Sequence, residues 1–106
     1  MAVKFVITTL KPGVDPKAYE RWVRERDYAY TNSNPNFVSY RVHRVEGAIV
    51  GAAGVEWQYI ERIEVKSLEQ HQKDLASPPG AELVKELYDK FVDRSKNIYV
   101  TTEVVE

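Results

Sequence analysis

The chain is 106 residues long, enough for one domain with a single core and little to spare. A hydrophobic share of 43% is ordinary for a globular protein, and a formal net charge of -1 leaves no basic excess to neutralise a phosphate backbone, which argues against nucleic acid as a partner. Without any cysteine, disulfides, thiolate metal ligands and thiol nucleophiles are excluded together.

Met1-Ala2-Val3-Lys4-Phe5-Val6-Ile7 passes straight into a strand pattern. No apolar run approaches the roughly 18 residues of a membrane span. The expectation is a cytoplasmic protein without a membrane partner. Val3 to Leu10 alternates Val3, Phe5, Ile7, Thr9 against Lys4, Val6, Thr8, Leu10, both sets mostly apolar, as an interior strand requires. Lys11-Pro12-Gly13-Val14 is a turn; Asp15 then supplies an N-cap and Pro16 a first helical position. The helix runs to about Thr31, with Ala18, Tyr19, Trp22, Val23, Ala29 and Tyr30 on one stripe and Glu20, Arg21, Arg24, Glu25 on the other. Asn32-Ser33-Asn34-Pro35-Asn36 stops it.

Phe37 to Glu46 reads as a second strand, and the small residues from Gly47 to Gly54 join it to a third, Val55 to Val65, as a hairpin. In that third strand Val55, Trp57, Tyr59, Ile63 and Val65 form an apolar stripe interrupted by Glu61. A carboxylate in such a stripe needs a partner or a raised pKa, because burying an unpaired charge is costly. Ser67-Leu68-Glu69-Gln70 has the form of a capping box and opens a short helix ending near Ser77. Pro78-Pro79-Gly80 breaks it, a further helix spans about Ala81 to Arg94, and Asn97 to Val105 closes the chain as a last strand. The order βαββαβ predicts a single α+β domain over residues 1–106, ferredoxin-like, with a four-stranded antiparallel sheet and helices on one face. The other face still carries apolar residues, so the expectation is a homodimer of two stacked sheets, a dimeric α/β barrel.

Several side chains are candidates for chemistry. His43 can move a proton near neutral pH, and Arg41 beside it can hold an oxyanion or carboxylate. Glu61, if it lies under the helices, gains a raised pKa and can hold the proton of a ring N–H; otherwise it forms a buried ion pair with Arg26 or another helix arginine. Glu56 and Glu103 are the alternatives on the opposite sheet face. His71, within the polar Gln70-His71-Gln72-Lys73 stretch, is expected at a solvated position. Trp22, Tyr28, Tyr40, Trp57 and Tyr59 can line a slot for a planar ligand, with Arg26 and Asp27 at its mouth. Hairpin register decides which of these meet. Pairing Glu46 with Val55 puts Glu61 beside Tyr40 and Val42, whereas a bulge in the connection brings His43, Arg41, Trp57, Tyr59 and Glu61 together. No spacing of ligands suggests a metal site, and Gly47, Gly51 and Gly54 open no helix as a phosphate cradle would.

Tyr59-Ile60-Glu61-Arg62-Ile63, Ser67-Leu68-Glu69-Gln70 and Leu75-Ala76-Ser77-Pro78 resemble the strand-to-helix segment of the dimeric α/β-barrel superfamily, which includes antibiotic-biosynthesis monooxygenases and EthD-like proteins. That superfamily often has a tryptophan where Ile63 stands and a histidine where Asp74 stands. Over its whole length, and in Arg24-Glu25-Arg26-Asp27-Tyr28 and Thr31-Asn32-Ser33-Asn34-Pro35-Asn36-Phe37, the chain is similar to the RedY-like (HapK) family of pigment-pathway proteins. The resemblance implies a homodimer without cofactors that binds and cyclises flat heteroaromatic intermediates of prodiginine-type tripyrrole or bis-indole pathways. Three functions follow as expectations. The first is a cyclase or isomerase using His43 and Glu61 as proton carriers with Trp22, Arg26, Tyr28, Tyr40, Arg41, Trp57 and Tyr59 around the substrate. The second is a carrier that protects a pigment precursor, and the third is a cofactor-free monooxygenase.

Overall fold

The computed structural model describes residues 2–46 and 57–106. The Gly47 to Gly54 connection, Val55 and the alternative carboxylate Glu56 lie outside the described residues. Strand β1 is Ala2–Thr8; helix α1, Pro16–Trp22, continues through one π-helical stretch, Val23–Asp27, into α2, Tyr28–Ser33. Strands β2, Phe37–Arg44, and β3, Tyr59–Val65, precede helices α3, Leu68–Leu75, and α4, Gly80–Lys90. A short 3-10 turn at Arg94–Lys96 leads into β4, Ile98–Thr102. The sheet is antiparallel throughout in the order β2-β3-β1-β4, the ferredoxin-like arrangement.

Helix starts follow local chemistry. The Asp15 carboxylate accepts the Lys17 amide hydrogen at 2.9 Å, with Pro16 in the first position, and the Ser67 hydroxyl accepts from the Gln70 amide at 3.1 Å. The first helix differs from the expected stripe. Its buried side chains are Tyr19, Trp22, Val23, Asp27 and Thr31, while Ala29 is exposed. Residues spaced by four drift about 40° per step around an ideal helix, and the wider π turn absorbs that drift, so Asp27 and Thr31 stay on the inner face. The last helix stops at Lys90, short of Arg94, because Asp93 accepts from the Ser95 amide at 3.0 Å and caps the 3-10 turn. The final strand ends at Thr102 and the first at Thr8, each shorter than the alternation suggested.

The hairpin register places Val42 opposite Glu61 and His43 opposite Ile60. It is offset by two residues from a Glu46–Val55 pairing, which keeps Glu61 on one face with Tyr40 and Val42. The irregularity lies at the other end of β2, between Phe37 and Ser39. Toward the helices point Lys4, Val6 and Thr8 of β1 and Tyr59, Glu61, Ile63 and Val65 of β3, all buried. The core therefore divides. One cluster gathers Leu10, Tyr19, Trp22, Val23, Tyr59, Leu83, Tyr88 and Val92, the other Val6, Tyr40, Ile63 and Val65; Glu61 interrupts the inner face of β3 between Tyr59 of the first and Ile63 of the second, and Lys4 lies beside Val6 and Ile63 of the second. The opposite face carries Val3, Phe5, Ile7, Ile60, Ile98 and Val100, the last two 41% and 40% exposed.

Asn36 ties the loop before β2 to the start of α3. Its side chain accepts from the Ser67 amide at 3.0 Å and donates to the Ser67 carbonyl at 2.9 Å, while its carbonyl accepts from the Lys66 amide at 2.9 Å. The residue is buried, so Asn36→Ala leaves both Ser67 groups without these partners. Urea denaturation is expected to show a loss of about 1–3 kcal/mol, whereas a change below 0.5 kcal/mol would mean that water replaces both bonds.

Candidate functional site

A cavity of about 120 Å³ opens between the sheet and the helices, lined by residues of both core clusters and by buried polar residues beside them. Trp22, Leu83, Val84, Leu87 and Tyr88 form its apolar wall, Phe37, Ile63 and Leu75 the other side, and Lys4, Asp27, Tyr40, Glu61 and His71 the polar floor. Tyr99, 53% exposed on the edge strand β4, also lines it. A 150 Å³ apolar cavity holds one benzene ring, so at about 120 Å³ the enclosed space takes at most one small ring and not a whole bis-indole.

The floor contains a short chain of acids. Tyr40 Oη lies 2.5 Å from Asp27 Oδ2 and 2.6 Å from Glu61 Oε1, and all three groups are buried. A phenol has one hydrogen to donate. With both carboxyls ionised, one carboxylate would face a phenol lone pair at hydrogen-bond distance, in a site shielded from water. At least one carboxyl is therefore protonated and donates to Tyr40. Burial raises the Asp27 pKa to about 8, the neighbouring Glu61 charge adding to the effect and the Tyr40 bond opposing it. Glu61 is raised for the same first reason, with the Tyr40 bond and Lys4 opposing. Burial also pushes the Tyr40 hydroxyl well above its usual range, so the tyrosine stays protonated.

A second polar pair stands beside the first. Lys4 Nζ is 2.7 Å from His71 Nε2, and both residues are buried. Burial, reinforced by the Lys4 charge, lowers His71 to about 4, so its imidazole is neutral at physiological pH. Burial lowers Lys4 as well, against the attraction of Glu61. His71 Nδ1 has no hydrogen-bond partner among the described residues.

The structure brings together only part of the candidate set. Glu61, Tyr40 and Trp22 line the cavity. Tyr28 packs edge-on against Tyr40 with centroids 5.9 Å apart, and its hydroxyl accepts the Val42 amide hydrogen at 3.1 Å. Tyr59 is buried elsewhere in the core, donating to Glu20 Oε2 at 2.7 Å and stacking edge-on with Tyr19 at 4.7 Å. Arg44 bridges to the same Glu20, and these bonds hold the Glu20 carboxyl down near 2. Arg26 is exposed and pairs at 3.1 Å with Glu86, which also accepts from Trp22 Nε1 at 2.7 Å. Glu61 thus meets a tyrosine and a second carboxyl in place of a helix arginine. His43 and Arg41 alternate onto the sheet face turned away from Glu61, and both are exposed. Arg41 curls around the edge so that its guanidinium lies 5.5 Å from the Tyr28 ring, while His43 borders a separate shallow groove with Glu20, Arg44 and Glu46. Trp57 precedes β3 and is 44% exposed, and Glu103 follows β4 at the surface.

Lys4, Asp27 and His71 are the floor residues that pattern reading placed elsewhere. His71 is buried, not solvated: Leu68, His71 and Leu75 share one helical face at i, i+3 and i+7, a signal hidden by the polar residues between them. Lys4 interrupts an apolar stripe as Glu61 does, and the two strands pair. Asp27 becomes legible in the four-residue spacing Tyr19, Val23, Asp27, Thr31, given the π turn. Among the described residues, no cluster of three or more His, Cys, Asp or Glu side chains converges as metal ligands do.

Residues 2–105 match the sequence profile of the family described as REDY-like protein HapK. No curated protein matches the chain. Its backbone superposes on HapK from Hahella chejuensis with a TM-score of 0.77 at 22% identity, covering 99% of this chain and 93% of that one. SnoaB, a cofactor-independent oxygenase from Streptomyces nogalater, superposes with a TM-score of 0.71 at 17% identity over 99% and 94% of the two chains. A dimeric ferredoxin-like protein of unknown function from Thermobifida fusca gives 0.71 at 12% identity over 97% and 90%. At these identities the three establish the fold. No helix among the described residues is long and apolar enough to cross a membrane.

The acid chain makes stability depend on pH. Asp27 holds its proton in the folded state up to about 8, against 3.8 ordinarily, so its contribution is full below about pH 4 and is lost as pH rises through 8. His71 acts oppositely: with a folded value near 4 against 6.5, its contribution is present above 6.5 and lost as pH falls through 4. Between about pH 6.5 and 8 the Asp27 loss is free of the His71 effect. Across that window the stability advantage of the wild type over Asp27→Asn should fall with rising pH by up to about 1.4 kcal/mol per unit, a difference that sets aside the raised Glu61 and the lowered Lys4 common to both proteins. A difference that does not change with pH would place the extra proton elsewhere.

Proposed function

The chain belongs to the REDY-like HapK family, and on that premise we propose that it is a cofactor-independent cyclase or isomerase. Its substrate in this reading is a heteroaromatic intermediate, bis-indole or pyrrole-type, of secondary metabolism. The observation that carries the reading is the Asp27–Tyr40–Glu61 chain on the floor of an apolar cavity sized for one ring. A protonated carboxyl and an ionised one, linked through a phenol, can give a proton to one ring atom and take one from another. The net change in mass is zero, as an isomerisation or redox-neutral ring closure demands. Trp22 and Tyr88 supply faces against which a flat ring can stack, and holding the ring there replaces a search in solution by a fixed encounter. One ring of a bis-indole or bipyrrole enters, and the remainder extends past Tyr99.

A homodimer is part of this proposal. The uncovered sheet face of Val3, Phe5, Ile7, Ile60, Ile98 and Val100 is a contiguous apolar surface of the kind a second copy covers. Arg41 and His43 lie on that side of the sheet, at its edge, so the proton chemistry is assigned to Glu61 and Asp27 and not to His43.

A cofactor-free monooxygenase is the second reading, favoured by the likeness to SnoaB. Incubation with bis-indole and bipyrrole intermediates, with and without oxygen, followed by mass spectrometry separates the alternatives. An isomer of unchanged mass in both conditions is the expected result. A gain of oxygen only in air would show a monooxygenase, and bound, unaltered ligand a carrier. In the expected case Glu61→Gln and Asp27→Asn each lower turnover by on the order of 10²-fold or more, while His43→Ala changes it by less than about tenfold. A loss with His43→Ala equal to that of Glu61→Gln would contradict the assignment.

A further inference from the structure

We propose that Lys4 is a nucleophilic amine and that the cavity captures an aldehyde or ketone substrate as an imine on its Nζ. This rests on the reading of the cavity as a heteroaromatic site and adds the reactive group such a ring would carry.

A lysine in a strand usually extends its ammonium to water past an apolar stem. Lys4 does the reverse. It sits in the middle of β1, between Ile63 of β3 and Thr101 of β4, is 8% exposed, and lines the cavity. Its polar contact among the described residues is a neutral imidazole, His71 Nε2 at 2.7 Å, and not a carboxylate. The Tyr99 ring stands 5.6 Å away toward the cavity's exposed side. The other titratable groups near it are Glu61 on β3, Asp27 and Tyr40 beyond Glu61, and Asp74 beyond His71. Burial favours the uncharged amine, the form that has a lone pair to give. The asymmetry has a chemical use: an amine next to a proton acceptor, with a carboxylic acid across the same small space, is what imine formation requires.

The steps balance without an oxidant or reductant. The Nζ lone pair forms the C–N bond as the carbonyl π pair moves onto oxygen, which takes from Glu61 a proton relayed from Asp27 through Tyr40. His71 takes a proton from nitrogen, giving the carbinolamine. The same proton, returned from His71 to the hydroxyl, lets the C–O bond break with loss of water, and the nitrogen lone pair closes the C=N bond. The iminium that remains faces the Glu61 carboxylate. Its positive nitrogen withdraws electrons more strongly than a carbonyl oxygen, so a proton on a conjugated carbon is more easily removed and replaced elsewhere by the acid chain. Water then hydrolyses the imine, which frees Lys4 and returns a product of the substrate's mass.

The test uses indole-3-carboxaldehyde with sodium borohydride, peptide mass spectrometry, and indole as a ligand with no carbonyl, its binding followed by isothermal titration calorimetry. Trapping at pH 7 should label Lys4 at least tenfold more than Lys66 and Lys96, which are exposed and lie outside the cavity. The added mass is that of the aldehyde less one oxygen atom. Prior indole should suppress the label, and Lys4→Met should still bind indole while losing the cavity adduct. If indole binds but Lys4 is labelled no faster than Lys66, the imine is overturned and the heteroaromatic site stands. If neither compound binds and Lys4 is unlabelled, both fail. If Lys4 is labelled without indole binding, the amine stands and the flat-ring reading falls.

Discussion

One phenol hydrogen has to serve two carboxyl groups. Tyr40 stands 2.5 Å from Asp27 and 2.6 Å from Glu61 with all three away from water, and that arrangement cannot hold two negative charges. An additional proton resides on the acids, and much of the local structure exists to bring those three oxygens together. The π turn at Val23–Asp27 rotates Asp27 inward, the β2–β3 register sets Tyr40 and Glu61 on the same face, and Tyr28 braces both by packing on Tyr40 and capping the Val42 amide. Such a π stretch costs regular hydrogen bonding and commonly marks a functional position.

The acids also explain why the core is split. Apolar clusters on either side of Glu61 could join into one if residue 61 were hydrophobic, and the domain is small enough to need that contact. Instead, charge-bearing groups on two adjacent strands face a cavity walled by Trp22, Leu83, Leu87 and Tyr88. Low local polarity lowers His71 to about 4, lowers Lys4 and raises the carboxyls, so each group is shifted toward its uncharged form. A site that carries both an acid and a free base near neutral pH can move protons without help from solvent.

Much of the architecture was legible from alternation and caps. Asp15-Pro16 and Ser67 start helices as their side chains dictate, and the βαββαβ order led to the observed sheet. Glu61 stood out because period two made its stripe unmistakable. Lys4 escaped notice because its strand is apolar on both faces, so neither set looked like an inner one. His71 and Asp27 were obscured for different reasons: His71 is masked by the polar residues around it on a short helix, and for Asp27 the π turn makes a period of 3.6 misassign the face. The register of a hairpin whose connection is rich in glycine and alanine has little side-chain signal to set it, which left His43 and Arg41 free to be grouped with Glu61.

The most direct test of the shared proton is carboxyl carbon-13 NMR, following Asp27 and Glu61 through pH 3 to 10 in the folded protein. One carboxyl should remain protonated through neutrality, with Asp27 titrating near 8 and Glu61 also above the ordinary range. If both carboxyls titrate below about pH 5, as solvated acids do, the acid chain holds no extra proton and the chemistry assigned to it is wrong.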